Sequence, residues 1–388
     1  MALIILAYQI LPRIGGAERY VYELACALQE CGEELVVITT DCEGAADFDS
    51  RSPLTIKRIP AKSKWQAVQA LAAAGAAYAE GNNSLNQPVT AIIAGKWWPA
   101  GLAAWRIRRR TGLPYVVIAH DCETVRVGTS ILKWPGQHLV IRGAAGGAAV
   151  SHYAASNLQR RGLPEERIAL VYGGVNPRAF AVDEQDVAEL RTRFSDRGQP
   201  ILLTVARLVH SKGHSQVIAA LPQVLEQVGE VKYVIVGSGP DETDLQQLVE
   251  QEGLAKFVTF CGEVPDSELG ALYHAADLFI MPSRDINGKS PEGLGLTYLE
   301  AGLCGLPAIG SRNGGVPDAI VDGETGLLVN PEDPAQIADA IIRLISDEAL
   351  ARRLGQNARR RVLDDFTWER VAERFQDALR RWELTAGC

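Results

Sequence analysis

The chain has 388 residues, 47% of them hydrophobic, and a net charge of −8. That length allows two or three domains with sizeable cores. No run of eighteen apolar residues occurs, which argues against a transmembrane helix, and an acidic chain without a nucleic-acid-binding motif argues against nucleic acid as a partner.

The first strand is expected at Leu3–Ala7. The apolar run around it is too short for a signal h-region and has no cationic flank. Pro12-Arg-Ile-Gly15-Gly16-Ala-Glu18 then leads into a helix at Ala17–Cys31, with Val21, Leu24, Ala25 and Leu28 on one face and Gly32 as the stop. Paired glycines let a ligand approach the backbone, although Gly-Gly turns are common. Leu35–Thr39 reads as the next strand. Asp47-Phe-Asp49, the chain's Asp-x-Asp, reads as a solvated loop, and no metal site is expected. Strands follow at Thr90–Ala94, Tyr115–Ala119 and Ala148–Ser151, each a short apolar run of the kind buried on both faces. His120 and Asp121 sit at the end of one of them. A histidine there serves packing or capping as readily as chemistry. Ser151 fits a helix cap.

Tyr172-Gly-Gly-Val-Asn-Pro177 marks a hinge. After a helix over Val182–Phe194, strands are expected at Ile201–Ala206, Tyr233–Val236, Val258–Cys261, Leu278–Met281, Pro307–Ile309 and Gly326–Val329. Helices between them include Ser215–Gln227, Glu242–Gln251, Asp266–Ala275 and Pro334–Ser346. Strand–helix alternation in both halves implies parallel sheets covered on both faces, in two doubly wound domains. The last helix, Trp368–Leu384, carries a stripe of Val371, Phe375, Ala378 and Trp382 and must pack on something.

Charge and cysteine add a compartment. Residues 1–176 sum to +4 and 177–388 to −12. Between Arg51 and Arg142, 13 basic residues meet 3 acidic ones (Glu80, Asp121, Glu123), with tryptophans interleaved. This suits an anionic membrane surface or an anionic acceptor, and equally a solvated face of mixed helices. The seven cysteines are scattered, with no Cys-x-x-Cys and no zinc spacing. A reducing cytoplasm fits, with peripheral attachment to the inner face of a membrane.

In parallel sheets ligands sit at the carboxyl ends of strands. After Ile201–Ala206 come Arg207 and Lys212, a cation pair placed to grip a diphosphate or to face solvent. Val236-Gly-Ser-Gly-Pro240 fits a nucleotide contact or a plain turn. Glu292-Gly-Leu-Gly-Leu-Thr-Tyr-Leu-Glu300, after Pro291, enters an apolar helix over Leu294 to Cys304. Eight helical steps span ~12 Å, roughly a hexose, a diphosphate and a ribose. Both carboxylates would lie on one flank, with glycine amides at the helix start meeting phosphate. An ordinary amphipathic helix with a solvated glutamate at each end fits the same pattern.

Taken in order, these residues resemble the retaining GT-B glycosyltransferases of family GT4. The likeness rests on Gly15-Gly16-Ala-Glu18, His120, Ala206-Arg-Leu208, Ser211-Lys-Gly213, Val236-Gly-Ser-Gly239, Ala276–Ser283, Glu292-x7-Glu300, Gly314-Gly-Val-Pro317 and Gly323–Leu328, over nearly the whole chain. Within the family it looks closest to the phosphatidylinositol mannoside mannosyltransferase branch. The resemblance implies two Rossmann-like domains facing across a deep cleft: 1–172 with 368–388 for the acceptor, 178–367 for the nucleotide-sugar, and 173–177 as hinge. The final helix would cross back to the first domain.

By matched position the catalytic set would be Arg207, Lys212, His120 and Glu292. Gly15, Gly16, Gly237, Val264, Gly293, Leu294, Gly295, Leu296 and Glu300 would bind the donor, Glu300 through the ribose. The activity implied is metal-independent hexosyl transfer, with retention and no cofactor. The donor would be GDP-mannose or a UDP-hexose, and the acceptor a hydroxyl on a lipid-linked or glycan molecule. The rival readings are a sugar-nucleotide epimerase and a non-catalytic nucleotide-sugar-binding module. Two departures bear on donor choice. The stretch from Arg284 to Pro291 is longer than in many members, placing Lys289 near the sugar or phosphate or in solvent. Leu294 also replaces a frequent aromatic.

Overall fold

A computed structural model describes residues 2–13, 15–81, 85–120, 133–286 and 292–384. Asp121, Lys289 and Pro291 therefore lie outside the described residues. Packing divides the chain into residues 1–174 with 368–388, and residues 175–367.

The first unit holds a parallel sheet of β1 (Ala2–Leu6), β2 (Glu34–Thr40), β3 (Ile56–Ile59), β4 (Val89–Ala94), β5 (Tyr115–Ala119), β6 (Gly146–Ala149) and β7 (Ile168–Leu170). Their order is β3-β2-β1-β4-β5-β6-β7. The central strand β1 is buried at every residue, as a strand covered on both faces must be. Sequence reading gave no range for the edge strands β3 and β7. Ile-Lys-Arg-Ile in β3 is half-buried and charged because only one side of an edge strand is covered.

The Gly16–Glu30 helix buries Val21, Leu24, Ala25 and Leu28 as predicted. The Trp368–Arg381 helix belongs to this unit. Trp368 meets Tyr20 edge-on at 5.6 Å, and Gln376 Nε2 donates to Glu33 Oε1 at 2.6 Å. Its stripe of Val371, Phe375, Ala378 and Trp382 is buried. Gly146 has no side chain because the Trp382 indole occupies that space.

The second unit repeats the plan with β8 (Ile201–Val205), β9 (Lys232–Val236), β10 (Val258–Gly262), β11 (Leu278–Met281), β12 (Ala308–Ser311) and β13 (Gly326–Val329). The order is β10-β9-β8-β11-β12-β13, all parallel. Its core joins Leu202, Tyr233, Ile235 and Ile280 to Val217, Leu221, Ile337 and Ile341 from flanking helices. In both sheets the strand order reverses beside the first strand, between β1 and β4 and between β8 and β11. Ligands of such sheets bind at the carboxyl ends of these strands.

Two expectations need correction. Asp47 and Asp49 sit on a short helix, Ala45–Arg51, not in a loop. Arg51 pairs with Asp47, and Arg58 grips Asp49 at 2.8 Å, so arginines satisfy both carboxylates. The helix expected from Leu294 begins instead at Leu296, because Gly295 has φ 84° and breaks the helical path. Glu292 thus lies off the helix, and the shared flank with Glu300 does not exist.

Candidate active site

In the second unit the carboxyl ends of β8 and β11 gather the expected cations and one of the two carboxylates. The chain turns after β8 through a single 3-10 turn, His210–Lys212, and Gly213 at φ 77° ends it. A Cβ on Gly213 would collide with the carbonyl oxygen of Pro282, just past β11. That close approach brings Lys212 to Glu292: the ammonium donates to Glu292 Oε2 in a mostly buried ion pair. Ser283 Oγ lies 3.5 Å from the same oxygen. Glu292 is held from behind by the Gly315 amide, which donates to its carbonyl at 2.8 Å.

Arg207 behaves differently. It is exposed, and its guanidinium has no partner among the described residues. Its backbone is fixed instead. Leu208 N–H donates to Ser238 O at 2.9 Å, and His214 Nε2 meets the Arg207 carbonyl at 3.2 Å. His214 is 2% exposed, and burial followed by the Lys212 charge pushes its pKa down to about 4. The ring is therefore neutral, and Nε2–H donates.

The amides of Gly293, Leu294, Gly295 and Leu296 find no protein acceptor among the described residues. They follow Glu292 directly at the start of the Leu296–Leu303 helix. A helix start with unengaged amides carries partial positive charge. Leu294 is buried, so this stretch presents backbone more than side chain.

Glu300 sits a turn into that helix at 6% exposure, and Tyr273 Oη donates to its Oε2 at 2.8 Å. Burial, and then the Glu300 charge, pushes the Cys304 thiol up to about 12. Tyr273 was missed by sequence reading, because nothing in Asp266–Ala275 marks one aromatic as a carboxylate partner. Gly237, at φ 130°, leaves room for the Ala206 carbonyl. That glycine serves backbone packing between β8 and β9. Val264 is half-buried just past β10, beside the strand end where Gly237 N–H donates to Gly262 O at 2.8 Å.

The first unit carries its own cluster at the ends of β1, β4 and β5. His120 Nε2 bonds the Gly95 carbonyl at 2.8 Å, and the Tyr20 ring stands edge-on at 5.0 Å. Burial, and then the Lys96 cation, lowers the His120 pKa to about 3. A carbonyl only accepts, so Nε2 carries the proton and Nδ1 is left as an acceptor. Glu18 pairs with Lys96 at 3.2 Å, and its carboxylate fills the space a Cβ on Gly15 would need. Gly16 is open, with nothing within 4 Å of the side-chain direction. Lys96 also escaped sequence reading, although it follows Thr90–Ala94 and the carboxyl-end rule points to it.

The chain is similar to known proteins along its whole length. The family profile described as "Glycosyltransferase Family 4" matches residues 14–179, and "Glycosyl transferases group 1" matches 188–361. A GDP-mannose-dependent alpha-(1-6)-phosphatidylinositol monomannoside mannosyltransferase of Mycobacterium tuberculosis is 33% identical over 287 residues, 73% of each chain. The enzyme of the same description from Mycolicibacterium smegmatis is 29% identical over 95% of each chain. Alpha-D-kanosaminyltransferase of Streptomyces kanamyceticus is 31% identical over 67% of this chain and 68% of its own. Among solved structures, Anabaena Alr3699/HepE in complex with UDP superposes with TM-score 0.83, at 20% identity, over 98% of this chain and 100% of that one. These relatives are named as transferases, not as epimerases or binding modules.

Proposed function

The chain belongs to glycosyltransferase family 4 and has the GT-B fold, and on that premise we propose that it moves a hexosyl group from a nucleoside diphosphate sugar to a hydroxyl, with retention and without a metal. The observation that carries the reading is the convergence at the ends of β8 and β11. One unpartnered guanidinium (Arg207), one ammonium (Lys212) and four unengaged amides (Gly293 to Leu296) meet there. Such a set accepts a diphosphate, and it gains most when the diphosphate gains charge.

In the proposed step the bond from the anomeric carbon to the diphosphate oxygen breaks, and its electron pair stays on the diphosphate. The acceptor oxygen bonds the same carbon from the same face, and its proton passes to the leaving oxygen. Arg207 and the amides neutralise the departing group. Glu292 contacts the donor sugar and Glu300 the ribose hydroxyls. Gly237 and Val264 border the nucleotide. On the first unit, which would present the acceptor, Gly16 lets the donor near the backbone, and neutral His120 offers Nδ1 to a sugar hydroxyl.

GDP-mannose is the donor we favour, because the most extensive matches are GDP-mannose enzymes. The acceptor we favour is lipid-linked, reached from the membrane surface through exposed basic residues such as Lys62, Arg106 and Arg109. No helix among the described residues is long and apolar enough to cross a membrane. The test is a thermal-shift and turnover screen of GDP- and UDP-sugars, with the product's anomeric configuration read by NMR. Stabilisation by no nucleoside diphosphate sugar, or an inverted product, would overturn the reading. Co-sedimentation with vesicles tests the surface: binding indifferent to lipid charge and salt removes it.

A further inference from the structure

Two tryptophans at the carboxyl end of the first sheet are not used by the chemistry above. Trp65 is 60% exposed, unusual for so large an apolar group. It stands in the first turn of the Lys64–Ala79 helix, which Ser63 caps by accepting from Gln66 N–H. Its ring meets Trp98 edge-on, 4.7 Å between centroids at 77°. Trp98 is half-buried, in extended conformation (φ −136°, ψ 133°), and backed by the buried Trp97 at 6.0 Å. The cap, the helix and Trp97 therefore hold two indoles as the walls of a corner.

The corner lies beside the residues already described. Gly95, which takes the His120 hydrogen bond, is three residues from Trp98, at most ~11 Å of chain. Lys64 Nζ lies 5.8 Å from the centroid of Tyr8, just past β1, and Lys62 is exposed on the approach to the helix. These elements flank the β1–β4 reversal, where a ligand is expected.

We propose that Trp65 and Trp98 form a stacking platform for a saturated, hydroxylated ring of the acceptor, with Lys62 and Lys64 receiving an anionic substituent such as a phosphate on that ring. One face of such a ring is a sheet of C–H bonds that lies well on an indole, while its hydroxyls stay wet at the rim. The second indole closes one edge. Two lysines beside it supply the charge that a phosphate needs. Lipid insertion is the weaker reading for Trp65. No second exposed large apolar side chain joins it on the Lys64–Ala79 helix or in Trp97–Gly101, whereas an inserting helix offers a continuous apolar face.

The platform deepens the proposed transfer and rests on it for the word acceptor, but its binding can be measured without a donor. Titrations of the full chain by saturation-transfer NMR use mannose 6-phosphate and methyl α-mannoside as probes. Both should bind, the phosphate more tightly. Trp65→Ala and Trp98→Ala should each weaken both probes about tenfold. Lys62→Gln with Lys64→Gln should erase the preference for phosphate and keep the methyl mannoside signal. Leu363→Ala, an exposed apolar residue of the other unit, is the control and should change nothing.

Wild-type affinity in both tryptophan variants, or no binding of either probe to the wild type, overturns the platform. So does strong quenching of Trp65 by brominated acyl chains in anionic vesicles. Phosphatidylinositol vesicles that displace mannose 6-phosphate identify the ring as a lipid headgroup; failure to displace it identifies a free phospho-sugar, and the platform stands in both cases. Probe binding without any transfer from GDP-mannose would retire the donor reading alone.

Discussion

The two units solve the same structural problem with the same parts and leave different charges unspent. Each has a sheet reversal, an acid–lysine pair beside it and a neutral histidine donating to a backbone carbonyl. In the first unit the parts are Glu18–Lys96 and His120 on Gly95; in the second, Glu292–Lys212 and His214 on Arg207. The second unit adds an unpartnered guanidinium and a run of unengaged amides. The first adds exposed aromatic surface and an open glycine. A site meant for a multiply charged leaving group needs excess positive charge after its internal pairs are counted. A site meant for a neutral hydroxyl does not.

The sharpest way to break this comparison is to remove the excess charge. Arg207→Ala should lower turnover ~10²–10³-fold, as loss of a charge-stabilising donor does. Initial rates with the preferred donor check it, and near-normal turnover would make the two units equivalent. Glu300→Ala should weaken binding of the free nucleoside diphosphate by about 1–3 kcal/mol, read by calorimetry. Tyr273→Phe separates the ribose role from structure, because it removes only the hydroxyl that Glu300 accepts from.

The histidines test what the units share. Both folded-state pKa values lie below the unfolded value of about 6.5. Above pH 6.5 neither state holds the proton, and the stability is fully present. As pH falls through 6.5 towards 4 for His214 and 3 for His120, the unfolded chain takes up protons that the native chain refuses, and stability is lost. Each histidine should contribute on the order of 1–2 kcal/mol of loss by pH 5. Thermal melts from pH 8 to 5 check this, and His120→Gln should flatten part of the slope. The smallest expected effect concerns the ion pair. Glu292→Gln frees Lys212, so affinity for a bare nucleoside diphosphate should rise several-fold, about 1 kcal/mol or less, while hexosyl transfer slows. Equal or weaker nucleotide binding would mean that Lys212 faces Glu292 rather than phosphate.

Much of this was legible from sequence. Helices such as Glu242–Gln251, Asp266–Ala275 and Pro334–Ser346 match the predicted bounds, because apolar spacing and caps are local signals. The buried strands were equally clear. Ile56–Ile59 was not, because an edge strand needs only one apolar side. The pairing of Lys212 with Glu292, eighty residues apart, leaves no local signal. The break before Leu296 was written in Gly293 and Gly295, yet the glycines were read as a helix start and Glu292 was carried along a helix that had not begun. Arg207, Lys212 and His120 were found by one rule, the residue after a parallel strand. Applied to β4, the same rule would have returned Lys96.

The glycines at the strand ends of the second unit bear on redesign. Gly213, Gly237 and Gly239 each leave a gap that a neighbouring loop's carbonyl fills: Pro282, Ala206 and Leu208 in turn. The turns after β8, β9 and β11 are thus keyed into one another like the wards of a lock. Altering any of these glycines to retune the donor would spring all three turns at once. Engineers wishing to change the transferred sugar or its carrier base should leave this keyed trio alone and vary Val264 or the Arg284–Pro291 stretch, which lie outside it.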